Sequence, residues 1–130
     1  MIVIDASAMV ELLMGTELGR RLDEVVLGAD MSHAPHLLDI EVMQVLRRYV
    51  LAGQVSAARA REAMLDLADF PIERHAHAAL IERVFELRAN LTAYDATYLA
   101  LAEALDSTLV TCDKALAKVP GTRARVLVLT

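Results

Sequence analysis

Met1-Ile2-Val3-Ile4-Asp5 opens the chain, and Thr108-Leu109-Val110-Thr111-Cys112-Asp113 has the same plan near the other end: a short, mostly apolar run, then an acid. Runs that are apolar at successive rather than alternate positions suit strands buried on both faces of a sheet. Between and around them the signals are helical. Residues 6–14 and 17–27 read as helices divided near Gly15. Residues 31–34 read as a short strand, after which Pro35 is expected to open a helix reaching Ala52, with Gly53 as its stop. Ser56 heads a helix over residues 56–67, residues 71–73 form a short strand, and residues 76–89 a helix. Thr92 starts a helix reaching Leu105, and a short helix near Asp113 and a Pro120-Gly121 turn lead to a last strand over residues 126–129. Strands separated by helices imply an α/β fold with a parallel sheet covered on both faces. Such sheets bind ligands beyond the carboxyl ends of their strands, where Asp5 and Asp113 fall.

A chain of 130 residues fits one domain spanning residues 1–130, with enough apolar residues (56%) for a real core. Aromatics are only 4%, so Ala, Leu and Val must build that core by close packing of helices on the sheet. Charged residues at 24% exclude a membrane protein, and no apolar run approaches a bilayer span. The first residues lack the basic start of a signal peptide, and one cysteine, Cys112, cannot form an internal disulfide. A soluble cytoplasmic protein is expected. The net charge of -5 speaks against a nucleic-acid partner, but beyond Asp113 no acid remains, while Lys114, Lys118, Arg123 and Arg125 follow. Of these, Lys114 and Lys118 are the candidates for phosphate contact.

The acids carry the chemistry. Several sit a helical turn from an arginine: Glu24 from Arg20 and Arg21, Glu62 from Arg59, Glu86 from Arg83. Asp5, Glu41, Asp95 and Asp113 do not, but neither do Glu11, Asp39, Asp66 and Glu103, so position must discriminate. Asp5 and Asp113 end apolar strands. Glu41 falls on the apolar stripe Leu38, Val42, Val45, Tyr49, where an unpaired carboxylate is costly; at the stripe's edge it could instead reach water. Asp95 sits in the first turn of its helix, where Thr92-Ala93-Tyr94-Asp95 also reads as a capping box. Asp5 and Asp113 could equally cap the helices that follow them. Taken singly, each acid has a structural reading; several acids on one sheet edge are harder to explain as caps.

Carboxylates gathered together repel unless a cation joins them. Oxygen-only ligands favour Mg2+ or Mn2+, which suits phosphodiester hydrolysis: the ion lowers the pKa of a water, aligns it and neutralises the leaving oxygen. Ser7 and Thr111, beside the acids, could orient a carboxylate or a water, or be ordinary turn and strand hydroxyls.

The segments Ile2-Val3-Ile4-Asp5-Ala6-Ser7-Ala8, Leu37-Leu38-Asp39-Ile40-Glu41-Val42, Leu91-Thr92-Ala93-Tyr94-Asp95-Ala96-Thr97-Tyr98 and Leu109-Val110-Thr111-Cys112-Asp113-Lys114 together resemble the PIN-domain ribonucleases, specifically the VapC-type toxins of toxin–antitoxin pairs. The resemblance implies a three-layer α/β/α sandwich around a five-stranded parallel sheet. It places the catalytic, metal-binding acids at Asp5, Glu41, Asp95 and Asp113; for Asp95 this carries most of the argument. It further implies endonucleolytic RNA cleavage by water, a homodimer, and a small antitoxin whose C-terminal segment covers the active-site groove. Some relatives carry one more acid just beyond the last, where this chain has Ala115 and Leu116.

Other features are weaker. His75-x-His77 could bind metal but shows no third nitrogen or thiolate in the sequence, and His33 and His36 beside Pro35 read as structural. No spacing supports a Ser/His/Asp or Cys/His site, and no glycine-rich phosphate loop is present. The run from Met9 to Val26 is more apolar than two short helices need, which suggests either a tightly packed hairpin or a groove for a partner helix; the family resemblance favours the groove, shielded by a small protein. Two competing functions remain: a non-catalytic RNA- or protein-binding module on the same fold, and a phosphatase with a nucleophilic Asp5. The second would want another Asp at position 7, where Ser7 stands.

Overall fold

The computed structural model describes residues 1–130. Its sheet contains β1 (Ile2–Ile4), β2 (Ser32–Pro35), β3 (Glu73–His75), β4 (Thr108–Thr111) and β5 (Arg125–Val128), all parallel, in the spatial order β3-β2-β1-β4-β5. The helices are α1 (Ala6–Met14), α2 (Glu17–Leu27), α3 (Leu37–Leu51), α4 (Ala57–Asp69), α5 (Ile81–Glu86) and α6 (Ala93–Ala104), with 3-10 turns at Ala78–Leu80 and Lys114–Ala117. This is the α/β sandwich expected of the sequence. No helix is long and apolar enough to cross a membrane.

The chain runs outward from β1 through β2 to β3, then returns to the other side of β1 for β4 and β5. The direction of winding therefore reverses between β1 and β4, the place where parallel sheets open a crevice for ligands. Both strands there are buried throughout their apolar residues, with Val3, Ile4, Leu109 and Val110 almost wholly inaccessible. Asp5 N–H donates to the Val110 carbonyl (3.2 Å), so pairing with β4 carries on to the acid itself. Helix α6 packs against β1, β2 and β4. Residues 96–102 are buried at every position, which accounts for a helix that is apolar all round rather than striped. Small residues such as Ala96, Ala100 and Ala102 allow that closeness.

The hairpin of α1 and α2 turns at Gly15, whose φ of 64° is left-handed and whose N–H closes α1. The two helices meet at Gly19, where a Cβ would lie 2.0 Å from the Glu11 carbonyl oxygen. Met9, Val10, Leu13 and Leu22 all point into the core. The hairpin is thus tightly packed, and an apolar recess lies between α3 and α4. Met43, Val50, Leu51, Ala60 and Met64 line it, with Arg47 and Arg61 at its rim.

Several boundaries differ from expectation. Pro35 ends β2 instead of opening α3. Its missing N–H costs nothing there, because β1–β2 pairing stops at Val3 and His33, while His36 N–H takes over by donating to the His75 carbonyl (2.8 Å). Strand β3 begins two residues later than the apolar signal: Ile72 N–H bonds back to the Phe70 carbonyl (2.8 Å), keeping residues 70–72 in a turn. The single helix expected over residues 76–89 is a 3-10 turn followed by short α5. His77, at the start of this stretch, accepts from Leu37 N–H (2.9 Å), which anchors the segment to α3. The segment after Asp113 is likewise only a 3-10 turn.

Candidate active site

Asp5 is the centre of the arrangement. It is 5% exposed, follows β1 and caps α1, with Oδ1 accepting from Ala8 N–H (3.0 Å) and from the Ser7 hydroxyl (2.6 Å). Oδ2 accepts from the Thr111 hydroxyl. Those hydroxyls are themselves held by the β4 end: Ser7 Oγ accepts from Cys112 N–H (2.9 Å), and Thr111 Oγ1 from Asp113 N–H (3.0 Å). Backbone amides beyond β4 thus set two hydroxyl donors, and these set the carboxylate. A cap alone does not require this. Ser, Thr or Asn would cap as well for about 1 kcal/mol, without burying a charge. Burial nevertheless raises the Asp5 pKa, outweighing the three hydrogen bonds that lower it, and the neighbouring Asp113 charge adds to the rise.

Asp113 is exposed and caps the turn after β4, its Oδ1 accepting from Ala115 N–H (2.9 Å). Asp95 is half-buried at the third position of α6. Thr92 caps that helix by accepting from Asp95 N–H (3.2 Å), but the Asp95 carboxylate accepts no hydrogen bond in return. The capping box is therefore only half made, and its acid stands free. Burial raises the Asp95 pKa, reinforced by Asp113 and Asp5. Glu41 lies at the edge of the α3 stripe formed by Leu38, Val42 and Leu46, half-buried rather than released to water. Its pKa is raised by burial, then by Asp95 and Asp5. Asp5, Glu41 and Asp95 thus each sense at least one other acid of the group, although no three of the four bring oxygens within 4.8 Å.

None of the four forms an ion pair. The comparison with other acids that lack a local partner is decisive. Asp39 finds Arg74 (2.7 and 2.9 Å), and Glu103 finds Arg83 (2.7 and 3.0 Å), across long sequence distances. Glu11 accepts from the Thr16 hydroxyl, and Asp66 is simply exposed. Uncompensated acids that are also partly withdrawn from water remain only at the β1–β4 crevice. Lys114 and Lys118 are exposed and pair with no acid, whereas Arg123 and Arg125 are engaged with Glu103 and Asp106.

Tyr98 is the site residue that the sequence reading left without a role. One turn beyond Asp95 on α6, it is 1% exposed, and its hydroxyl makes no hydrogen bond. Glu41 is its nearest acid. The two are close enough to perturb each other's titration, and burial together with Glu41 holds the phenol far above its usual pKa. The buried hydroxyl is thus a proton donor left beside Glu41. The spacing of Asp95 and Tyr98 already placed them on one helix face; what the sequence lacked was Glu41 opposite. Recesses flank the acids on two sides, one lined by Leu37, Ile40, Glu41, Gln44 and Tyr94, the other by Ser7, Glu11, Arg48, Tyr49 and Cys112. Burial and the charges of Asp5 and Glu11 push the Cys112 thiol up to about 11, so it is protonated at neutral pH and no nucleophile.

Residues 2–122 match the family model of the PIN domain. The chain belongs to the PIN-domain family. It is 44% identical over 120 residues to ribonuclease VapC1 of Mycobacterium tuberculosis, covering 92% of this chain and 90% of the relative. It is 42% identical over 113 residues to a VapC ribonuclease of Mycobacterium bovis, covering 87% and 86%. Among solved structures, VapBC2 from Rickettsia felis, bound to a DNA fragment from its promoter, superposes with a TM-score of 0.73 at 14% identity over the full length of both chains. That likeness shows the fold. The five-stranded parallel sheet is thus that of a PIN domain.

Proposed function

We propose that this PIN domain is a metal-dependent endoribonuclease acting as the toxin of a toxin–antitoxin pair. One observation carries the reading: four acids without cationic partners converge where the sheet reverses, three of them with raised pKa values. The donor set fits a hard divalent cation, since it offers only oxygens and neither His nor Cys nitrogen or sulfur takes part. Asp5, Asp95 and Asp113 are the proposed ligands of Mg2+, for which Mn2+ substitutes, with Glu41 completing the cluster. When bound, the ion would supply water activation and neutralise charge on the leaving oxygen.

The chain's own groups do the rest. Ser7 and Thr111 fix both oxygens of Asp5, so that this carboxylate does not have to reorganise on binding. Glu41, with its raised pKa, is the acid best placed to exchange a proton with an attacking water, and Tyr98 steadies it. Lys114 and Lys118, free of acids, are positioned to meet phosphates beyond β4. The relatives are ribonucleases, which supports RNA as substrate. The protein is proposed to work in the cytoplasm as a homodimer, silenced by a small antitoxin whose apolar face occupies the α3–α4 recess, where Met43 and Met64 can adapt to a partner.

Cleavage of a mixed cellular RNA pool tests the reading. Chelation should stop endonucleolytic cutting and excess Mn2+ restore it. Full activity in excess chelator would remove the metal mechanism, and RNA binding without any cutting would favour a non-catalytic module.

A further inference from the structure

All four histidines of the chain lie on or beside β2 and β3. Strand pairing sets His33 of β2 opposite Glu73 of β3, and Pro35 opposite His75. Residues two apart on a strand share a face, so His33, Glu73 and His75 all project from the same side. Their donor atoms converge: His33 Nδ1 is 2.9 Å from His75 Nε2 and 3.7 Å from a Glu73 carboxylate oxygen, and one ligand atom from each lies within 4.8 Å of the others. In a tetrahedral zinc site, bonds of about 2.0 Å place neighbouring ligand atoms roughly 3.3 Å apart. The observed separations bracket that spacing. No other group of His, Cys, Asp and Glu in the protein meets so closely.

We propose that His33, Glu73 and His75 form a second metal site, for a borderline transition-metal ion such as Zn2+, separate from the acidic cluster. Two imidazoles and a carboxylate suit zinc, nickel or cobalt; they do not suit magnesium, which prefers oxygen ligands. The His33–His75 contact supports a cation here because its facing nitrogens can share only one proton, and a metal ion takes the place of that proton. His33 is almost fully buried (4% exposed), so its ring is held in position; a metal on Nδ1 leaves the ring proton on Nε2, which has no protein partner. Glu73 is exposed, which leaves an entry route from solvent and room for a water as fourth ligand. His77 is not a ligand, since its Nε2 accepts from Leu37 N–H. The sequence shows only the His75-x-His77 pair, because the additional nitrogen comes from a residue 42 positions away.

The consequence is structural. Strand β3 is a three-residue edge strand, none of whose residues is fully buried. A metal bridging it to β2 clips that edge to the sheet, and binding to the folded state alone raises stability by mass action.

The test uses the full-length, metal-free protein titrated with ZnCl2, followed by calorimetry and melting temperature. CoCl2 serves as a second probe, read by its visible absorption. One equivalent of zinc should bind at micromolar concentration and raise the melting temperature, and cobalt should give the intense bands of a four-coordinate nitrogen-containing site. His75→Gln should abolish both signals. Glu73→Gln, an exposed change that leaves folding intact, should weaken zinc binding by about 10-fold or more. The doubly substituted Asp95→Asn, Asp113→Asn protein should keep the zinc response in full. Zinc binding that is lost in that protein but unchanged in Glu73→Gln and His75→Gln would assign the metal to the acids and overturn the proposal. Failure of wild type to bind zinc would do so as well.

Discussion

Asp5 caps α1 and is also a proposed metal ligand, and the two roles respond differently to one atom. In Asp5→Asn the retained oxygen can still accept from Ala8 N–H and Ser7, and the new amide can donate to Thr111 Oγ1. Asn caps as well as Asp. A charge whose burial is costly also disappears, so the metal-free variant should melt at or above the wild-type temperature. RNA cleavage should nevertheless fall by orders of magnitude, as a neutral amide is a poor ligand for a hard cation. Near-normal cleavage would reduce Asp5 to a cap. Ser7→Ala tests the layer behind it: losing one orienting donor should lower activity by roughly 10- to 100-fold with the fold intact.

At this scale the sequence was legible in part. Asp5 and Asp113 could be placed because an acid closing an apolar strand has few ordinary reasons to be there. Glu41 could be placed because it broke a stripe. Asp95 is assigned by the family resemblance, since position alone reads it as a cap, and its carboxylate accepts no hydrogen bond. Glu103 looked as unpartnered as any of them, and only the fold brought Arg83, Thr122 and the Arg123 amide to it. Ionic partners distant in sequence are invisible to a test of local spacing.

Among the elements, β1, α1, α2 and α6 were readable because caps and punctuation agree with the apolar pattern: Asp5, Thr16, Thr92 and Gly15 sit at their boundaries. Strand β3 and the helix expected over residues 76–89 were misplaced, because their ends are set by pairing with β2 and by His77 gripping α3 rather than by local propensity. The proposed partner surface differs from the expected one as well. The methionines and valines of α1 and α2 are needed for the core, and the apolar surface left over faces the recess between α3 and α4. Leu51 is 69% exposed at that recess, so Leu51→Glu should leave folding unchanged. It should weaken the complex with the antitoxin by at least about 10-fold, since a buried interface does not tolerate an unpaired charge. An antitoxin that binds the variant with unchanged affinity would place its contact elsewhere.

For the whole molecule, the acids make stability depend on pH in an unusual sense. Asp5, Glu41 and Asp95 have folded pKa values above their ordinary 3.8 to 4.5, so the folded state binds their protons more tightly than the unfolded chain does. Their contribution is full below those ordinary values and is lost as pH rises through the folded ones. Glu103, held by Arg83 at about 2, acts in the opposite sense, but only in strong acid between about 2 and its ordinary 4.5. The three acids should therefore add stability as pH falls from neutral to mildly acid, while His33, its pKa lowered by burial and the His75 charge, takes some away in the same range. A divalent cation bound by these acids would do at neutral pH what protons do in acid, and the two should compete. The direct measurement is the melting temperature of the metal-free protein titrated with MgCl2 at neutral and at mildly acid pH. The structure predicts a clear rise at neutral pH, a smaller one in acid, and none at either pH for the doubly substituted Asp95→Asn, Asp113→Asn protein. A melting temperature indifferent to Mg2+ at neutral pH, or a rise that survives in that variant, would contradict the claim that these acids form the metal site.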